Sequence, residues 1–243
     1  MNLIKRYNLD NLNIFYFTFV LFSGILFFLG TPDLDQNILS FLDHRSIFTH
    51  SLLFPYIVYY FLIRKGNKTN VYINLLVVSF FVAVGIHLSA DLHPKSWQGY
   101  ANIKFLGKDL GELSFFWILI NAVFSYVFGV FLLREISAKN NYLIIFLIIT
   151  IIIGAIYSSD EAVNNSKIFF TIIFLLSIST YHVLKGNTKY LRKYTKNLKP
   201  FKNSFFTEPF KKLIFKLLKI IIILYILYII VYTAFVFFGW LGM

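Results

Sequence analysis

Long apolar blocks separated by short polar breaks make up most of this chain. Seven blocks stand out: Ile14–Gly30, Ile47–Ile63, Val71–Ala90, Leu113–Leu133, Tyr142–Tyr157, Ile168–Leu184 and Ile220–Trp240. Crossing a hydrocarbon core about 30 Å thick takes roughly 17–25 helical residues, and each block is within or close to that length. Backbone groups in lipid must bond within their own segment, and no barrel-like alternation of polar and apolar residues is present, so the blocks predict helices. The expected fold is an all-α polytopic membrane protein of about seven transmembrane helices, one membrane domain over residues 1–243. Tyr142–Tyr157 is the shortest of the seven. "GTPDLDQ" follows the first block directly, without a small-x-small cleavage site, so Ile14–Gly30 is expected to be a permanent helix and not a signal peptide.

Composition strengthens the membrane reading. The chain is 58% hydrophobic and only 14% charged, far from the balance of a water-soluble domain. It has no cysteine, which excludes disulfides, thiolate metal sites and cysteine nucleophiles. With the N-terminus in the cytoplasm, seven spans put eighteen of the 23 Lys and Arg residues inside, in keeping with the positive-inside rule. Eleven of them lie in the connection 185–219, against Glu208 alone. That connection is expected to fix topology and touch anionic headgroups, with "FFTEPFKKLIFKLLK" as an amphipathic surface helix, and no nucleic acid is expected as a partner. Trp97, Trp117 and Trp240 then fall near the outer interface.

This orientation brings three polar stretches to one membrane face: "PDLD" (Pro32–Asp35), "HRSIFTHS" (His44–Ser51) and "GIHLSAD" (Gly85–Asp91). Four of the five histidines lie in or beside them, and only His182 lies elsewhere. His87 and Asp91, four apart on a helix, share a face about one turn apart, and His93 follows at the helix exit. Asp33 and Asp35, two apart in a turn or extended segment, are able to point the same way. Each residue alone has an ordinary explanation, as a cap, a solvated loop or a helix-end pair. Together Asp33, Asp35, His44, His50, His87, Asp91 and His93 form a mixed imidazole and carboxylate set suited to zinc, with manganese or iron as alternatives. The likeliest divalent-metal ligands are His44, His50, His87 and Asp91. Asp33 and Asp35 would be further ligands or water-activating bases, and His93 a ligand or general acid. Arg45 has two readings, a bidentate phosphate clamp or a side chain snorkelling to headgroups.

The chain has no P-loop, dinucleotide fingerprint, haem or iron–sulfur pattern. A metal at an aqueous rim beside carboxylates suits hydrolysis, since it lowers the pKa of water and polarises the scissile group. In order and placement the three motifs resemble the YdjM-like family, the LexA-binding, inner-membrane-associated metal-dependent hydrolases. The resemblance covers about residues 1–120. It implies a hydrolase of the bacterial-type inner membrane with undefined substrate. The chain departs from the family pattern at Gln36, where a histidine is common, and at Ser46, where glycine is common. "HLSADLH" (His87–His93) is also similar in spacing to a stretch of zinc-dependent phospholipases C and S1/P1-type nucleases, which tilts the expected substrate toward an amphiphilic phosphoester. Two other functions stand beside this one: a transporter or metal-handling protein, and a non-catalytic membrane partner in which the polar cluster only ties helices together.

Overall fold

The computed structural model describes residues 13–37, 44–64, 70–95, 99–137, 140–159 and 165–185. The expected seventh span Ile220–Trp240, the basic connection beyond Lys185 with its amphipathic stretch, and the expected belt residues Trp97 and Trp240 lie outside them. Among the described residues the architecture is all-α apart from one small hairpin. Its elements are α1 (Ile14–Phe28), α2 (Leu34–Asn37), α3 (Leu53–Tyr59, continued as a π-helical turn to Arg64), α4 (Val71–Asp91), β1 (Lys104–Phe105), β2 (Lys108–Asp109), α5 (Leu113–Ile136), α6 (Asn140–Ser159) and α7 (Asn165–Leu184).

Among the described residues, α4, α5, α6 and α7 have the length and hydropathy to cross a membrane. The count of seven expected spans is therefore met in part: α1 and α3 are apolar but shorter. A helix of 15 residues such as α1 rises only about 22 Å, less than the hydrocarbon thickness.

The expected second span, Ile47–Ile63, needs a larger correction. Residues 44–52 are turns, and the helix starts only at Leu53. Side-chain oxygens capture the backbone donors that a helix would have used. Asp35 accepts from Ser46 N–H (2.8 Å), Ser46 Oγ from Phe48 N–H (3.2 Å), Asn121 Oδ1 from Leu52 N–H (3.0 Å) and Ser51 Oγ from Leu53 N–H (3.1 Å). Serine and asparagine compete with helix formation in this way. Pro55 is accommodated because it lies in the first turn of α3.

The core is organised around α4, which is apolar on all sides and buried along most of its length, as expected of a helix enclosed by others. It packs on α1 and α5, and more lightly on α3, α6 and α7. Asn13 caps α1 and Asn70 caps α4 by accepting from the N–H two residues on. Close approach of α1 depends on Gly24, where a Cβ would lie 2.8 Å from Ser79 Cβ of α4. Ser79 Oγ also donates to Leu21 O across that seam (3.3 Å). This contact holds the end of α1, and the turn carrying Asp33, over the last turns of α4. On the other side of α4, Phe81 stacks on Phe128 of α5 at 5.4 Å.

The hairpin between α4 and α5 is closed by Leu106 and Gly107, both at positive φ (49° and 79°), as a type I′ turn requires. Lys104 of β1 donates its N–H to Arg45 O and accepts from Ile47 N–H, each at 2.9 Å. The hairpin thus fixes the path of the 44–52 segment.

Candidate metal centre

Three segments distant in sequence meet at the C-terminal end of α4. α1 runs into a turn in which Asp33 N–H donates to Gly30 O (3.2 Å), and α2 follows with Asp35. The 44–52 segment supplies His44, Arg45 and His50, and α4 supplies His87 and Asp91. His50 and His87 are buried, with ring centroids 5.4 Å apart. Their Nε2 atoms face the same two carboxylates. His50 Nε2 lies 3.8 Å from Asp33 Oδ1 and 3.6 Å from Asp91 Oδ2, and His87 Nε2 lies 3.7 Å and 3.6 Å from the same atoms. Asp33, His50 and His87 each offer one ligand atom, all within 4.8 Å of one another.

The tautomers follow from what holds each ring from behind. His87 Nδ1 is 3.1 Å from Leu29 O, which only accepts, so the proton of the neutral ring is on Nδ1 and the Nε2 lone pair faces the centre. Tyr157 OH of α6 also reaches this Nδ1, at 3.0 Å. Behind His50, Thr49 Oγ1 donates to Asp35 Oδ2 and lies 3.1 Å from His50 Nδ1. The carboxylate can only accept, so the hydroxyl's proton goes to Asp35 and its lone pair receives Nδ1–H of His50. Asp35 Oδ2 is itself 3.6 Å from His50 Nδ1. Imidazole ligands of metal ions are held in this way, by a carboxylate or a backbone carbonyl on the nitrogen away from the ion.

The carboxylates around His50 favour positive charge at this point, carried by a proton on the ring or by a cation beside it. Burial pushes the Asp35 carboxyl up, but the adjoining His50 ring and hydrogen bonds from Thr49 and Ser46 N–H outweigh it and hold its pKa well below the usual carboxylate range. Burial works against a charged His50 ring, yet the adjoining carboxylate of Asp35 and the charges of Asp91 and Asp33 keep its pKa above the ordinary value. The segment is also pinned by Trp117, whose Nε1–H donates to His50 O (3.0 Å).

Of the residues singled out from sequence, the structure brings Asp33, His50 and His87 together, with Asp91 Oδ2 3.6 Å from the Nε2 of both histidines. Asp33 and Asp35 do not point the same way: they bracket opposite edges of the His50 ring, Asp33 on Nε2 and Asp35 on Nδ1. Asp35 is thus an orienting group. His44, with 41% of its side chain exposed, sits behind it with Nδ1 3.6 Å from Asp35 Oδ1. Arg45 lies at the rim with Nε 3.9 Å from Asp91 Oδ1. His93 turns away: its Nε2 bonds Thr171 Oγ1 of α7 at 3.0 Å. Burial and the nearby Lys167 push its pKa down to about 4. Tyr157 and the Leu29 carbonyl lie outside the sequence reading, and Thr49, present in its second motif, has no role there. The tyrosine ending the aliphatic run "IIIGAIY" is the legible signal for the former.

The donor set fits a divalent ion. With His50 neutral, its Nε2 and Asp91 Oδ2 are lone-pair atoms 3.6 Å apart, both buried and without a hydrogen-bond partner among the described residues. A proton on His50 would leave that contact too long for a hydrogen bond. A tetrahedral ion with bonds of about 2.0–2.2 Å sets neighbouring ligand atoms about 3.3–3.6 Å apart, close to these separations. Compared with protein-family models, with curated proteins and with solved structures, the chain has no match in any of the three.

Proposed function

We propose that this chain is a multi-pass, metal-dependent hydrolase of the YdjM-like kind, in a bacterial-type inner membrane, acting on a phosphoester with lipid-like character. The observation that carries the reading is the facing of buried His50 Nε2 and Asp91 Oδ2, neither with a hydrogen-bond partner among the described residues, across a point that His87 and Asp33 also address. His50, His87, Asp33 and Asp91 would hold the ion, and two neutral imidazoles with carboxylates favour zinc over magnesium. When bound, such an ion supplies Lewis acidity and an acidified water.

The protein's own groups have separable tasks. Asp35 and Thr49 fix the His50 ring, and the Leu29 carbonyl fixes His87. The Arg45 guanidinium, beside Asp91 at the rim, suits a phosphate oxygen of the substrate. His44, half in water and paired with Asp35, is placed to carry protons between the site and solvent. Seven spans with a cytoplasmic N-terminus would put the site at the outer face, supported by the bias of basic residues.

The test is elemental analysis of detergent-purified protein beside the His87→Ala/Asp91→Ala variant, followed by phosphoester-lipid turnover. A transition metal near one equivalent, lost in a variant that remains folded, is the expected result. Equal metal in both proteins overturns the assignment.

A further inference from the structure

A second feature lies behind the 44–52 segment. Thr49 and His50 face the candidate metal centre, while Ile47, Phe48 and Leu52 of the same segment line an open pocket of about 360 Å³, together with Tyr56 of α3, Phe105 of β1 and Trp117 of α5. Its size is within the range of ligand clefts, roughly 300–1,000 Å³. The polar groups on its wall are already engaged. Ser51 Oγ donates to Phe48 O (2.9 Å) and accepts from Leu53 N–H, and Asn121 accepts from Leu52 N–H while donating to Trp117 O (2.8 Å). Water entering such a space would find few partners, which favours an apolar occupant.

What that occupant is follows from the surface the cavity joins. Leu53 and Ile57 of α3, and Phe116, Ile120 and Phe124 of the membrane-spanning α5, are each more than 40% exposed. At these four-residue spacings they form two apolar stripes, and residues beside them, Tyr56, Trp117 and Asn121, line the cavity. The cavity is therefore continuous with the surface that α5 presents to hydrocarbon. The chain segments forming its wall, with the cap of α5, also carry Arg45, Lys104 and Lys108 against Asp109 and Glu112, a small excess of positive charge.

We propose that this cavity seats one acyl chain of an anionic phospholipid, with the phosphate directed toward Arg45 and the His50–His87 pair. The position of the head rests on the function proposed above; the acyl chain rests on the cavity. The segment 47–53 would act as a partition, with the head on its polar face and the chain on its apolar face.

The experiment uses the full chain with Trp97→Phe and Trp240→Phe, leaving Trp117 as the sole tryptophan, reconstituted in phosphatidylcholine bilayers. Phosphatidylglycerol with brominated chains is titrated in at low mole fraction, and brominated phosphatidylcholine serves as the reference. Saturable quenching of Trp117, stronger with the anionic lipid, is expected. Ile47→Phe should weaken it by roughly four-fold for each chain methylene displaced, while Ile47→Ala, which enlarges the space, should retain it. Equal, non-saturable quenching by both lipids means ordinary bilayer contact, and absence of quenching means another part of the protein fills the cavity; either result overturns the proposal. Metal content of the same samples is read separately. Saturable quenching in a protein that binds no metal would leave the chain site standing and remove the hydrolase, and metal without quenching would do the reverse.

Discussion

His50 and His93 are imidazoles at the same end of the bundle, both withdrawn from water, and their neighbours drive them in opposite directions. His50 is enclosed by Asp33, Asp35 and Asp91, which keep its pKa up despite burial. His93 has Thr171 as its hydrogen-bond partner and Lys167 nearby, so burial prevails and its pKa falls to about 4. Burial of a histidine therefore says little about a site. A lone pair turned toward carboxylates that also need a cation says much more.

The comparison breaks first at metal binding. His50→Ala should lose the ion, with affinity down by more than about 100-fold, since even partners that merely orient ligands are worth about 10–100-fold. His93→Ala should stay close to wild type by isothermal titration with zinc. Equal losses would mean that the two histidines serve one site after all. Asp35→Asn comes next. It keeps the shape but removes the charge behind His50, and should weaken zinc binding by about 10–100-fold while the protein stays folded by circular dichroism.

A pH series separates the two rings in metal-free protein. His93 has a folded pKa near 4, below its unfolded value of 6.5, so the unfolded chain takes up the proton first. Its contribution to stability is intact above about pH 6.5 and is lost as pH falls toward about 4. His50, whose folded pKa is raised, contributes in the opposite sense: its stabilisation is full below about pH 6.5 and fades as pH rises through the folded value. Thermal melts of His93→Gln in detergent should lose the acid-side decline, and those of His50→Gln the alkaline-side one. A wild-type acid slope in His93→Gln would refute the assignment. The smallest effect is expected from Tyr157→Phe. The Leu29 carbonyl still holds the proton on His87 Nδ1, so zinc affinity should drop only a few-fold, and a loss as large as that of His50→Ala would show Tyr157 to be the main support.

Much of this arrangement is legible in the sequence. Four apolar runs correspond to α4, α5, α6 and α7, because length and hydropathy are local properties. The spacing of His87 and Asp91 on one helix face is likewise local. The start of α3 is not, because the groups that divert residues 44–52 from helix include Asp35 and Asn121, brought there only by the tertiary fold. The division of labour between Asp33 and Asp35 was hidden for the same reason. It depends on which edge of the His50 ring each carboxylate meets, and two-residue spacing carries no information about a ring supplied by another segment. His93, two residues beyond Asp91 and past the end of α4, turns toward α7, a direction that closeness in sequence does not disclose.

Arg45 has a positive φ of 62°, a region that costs a side-chain-bearing residue about 1–2 kcal/mol relative to an ordinary conformation. Glycine would relieve that cost and keep the reversal that presents Ser46 N–H to Asp35 and Arg45 O to Lys104. Position 45 is thus a point where thermostability and charge at the rim are in direct competition. Selection of variants for heat resistance alone would tend to replace the arginine with glycine, and selection that also demands the site's activity would hold it in place.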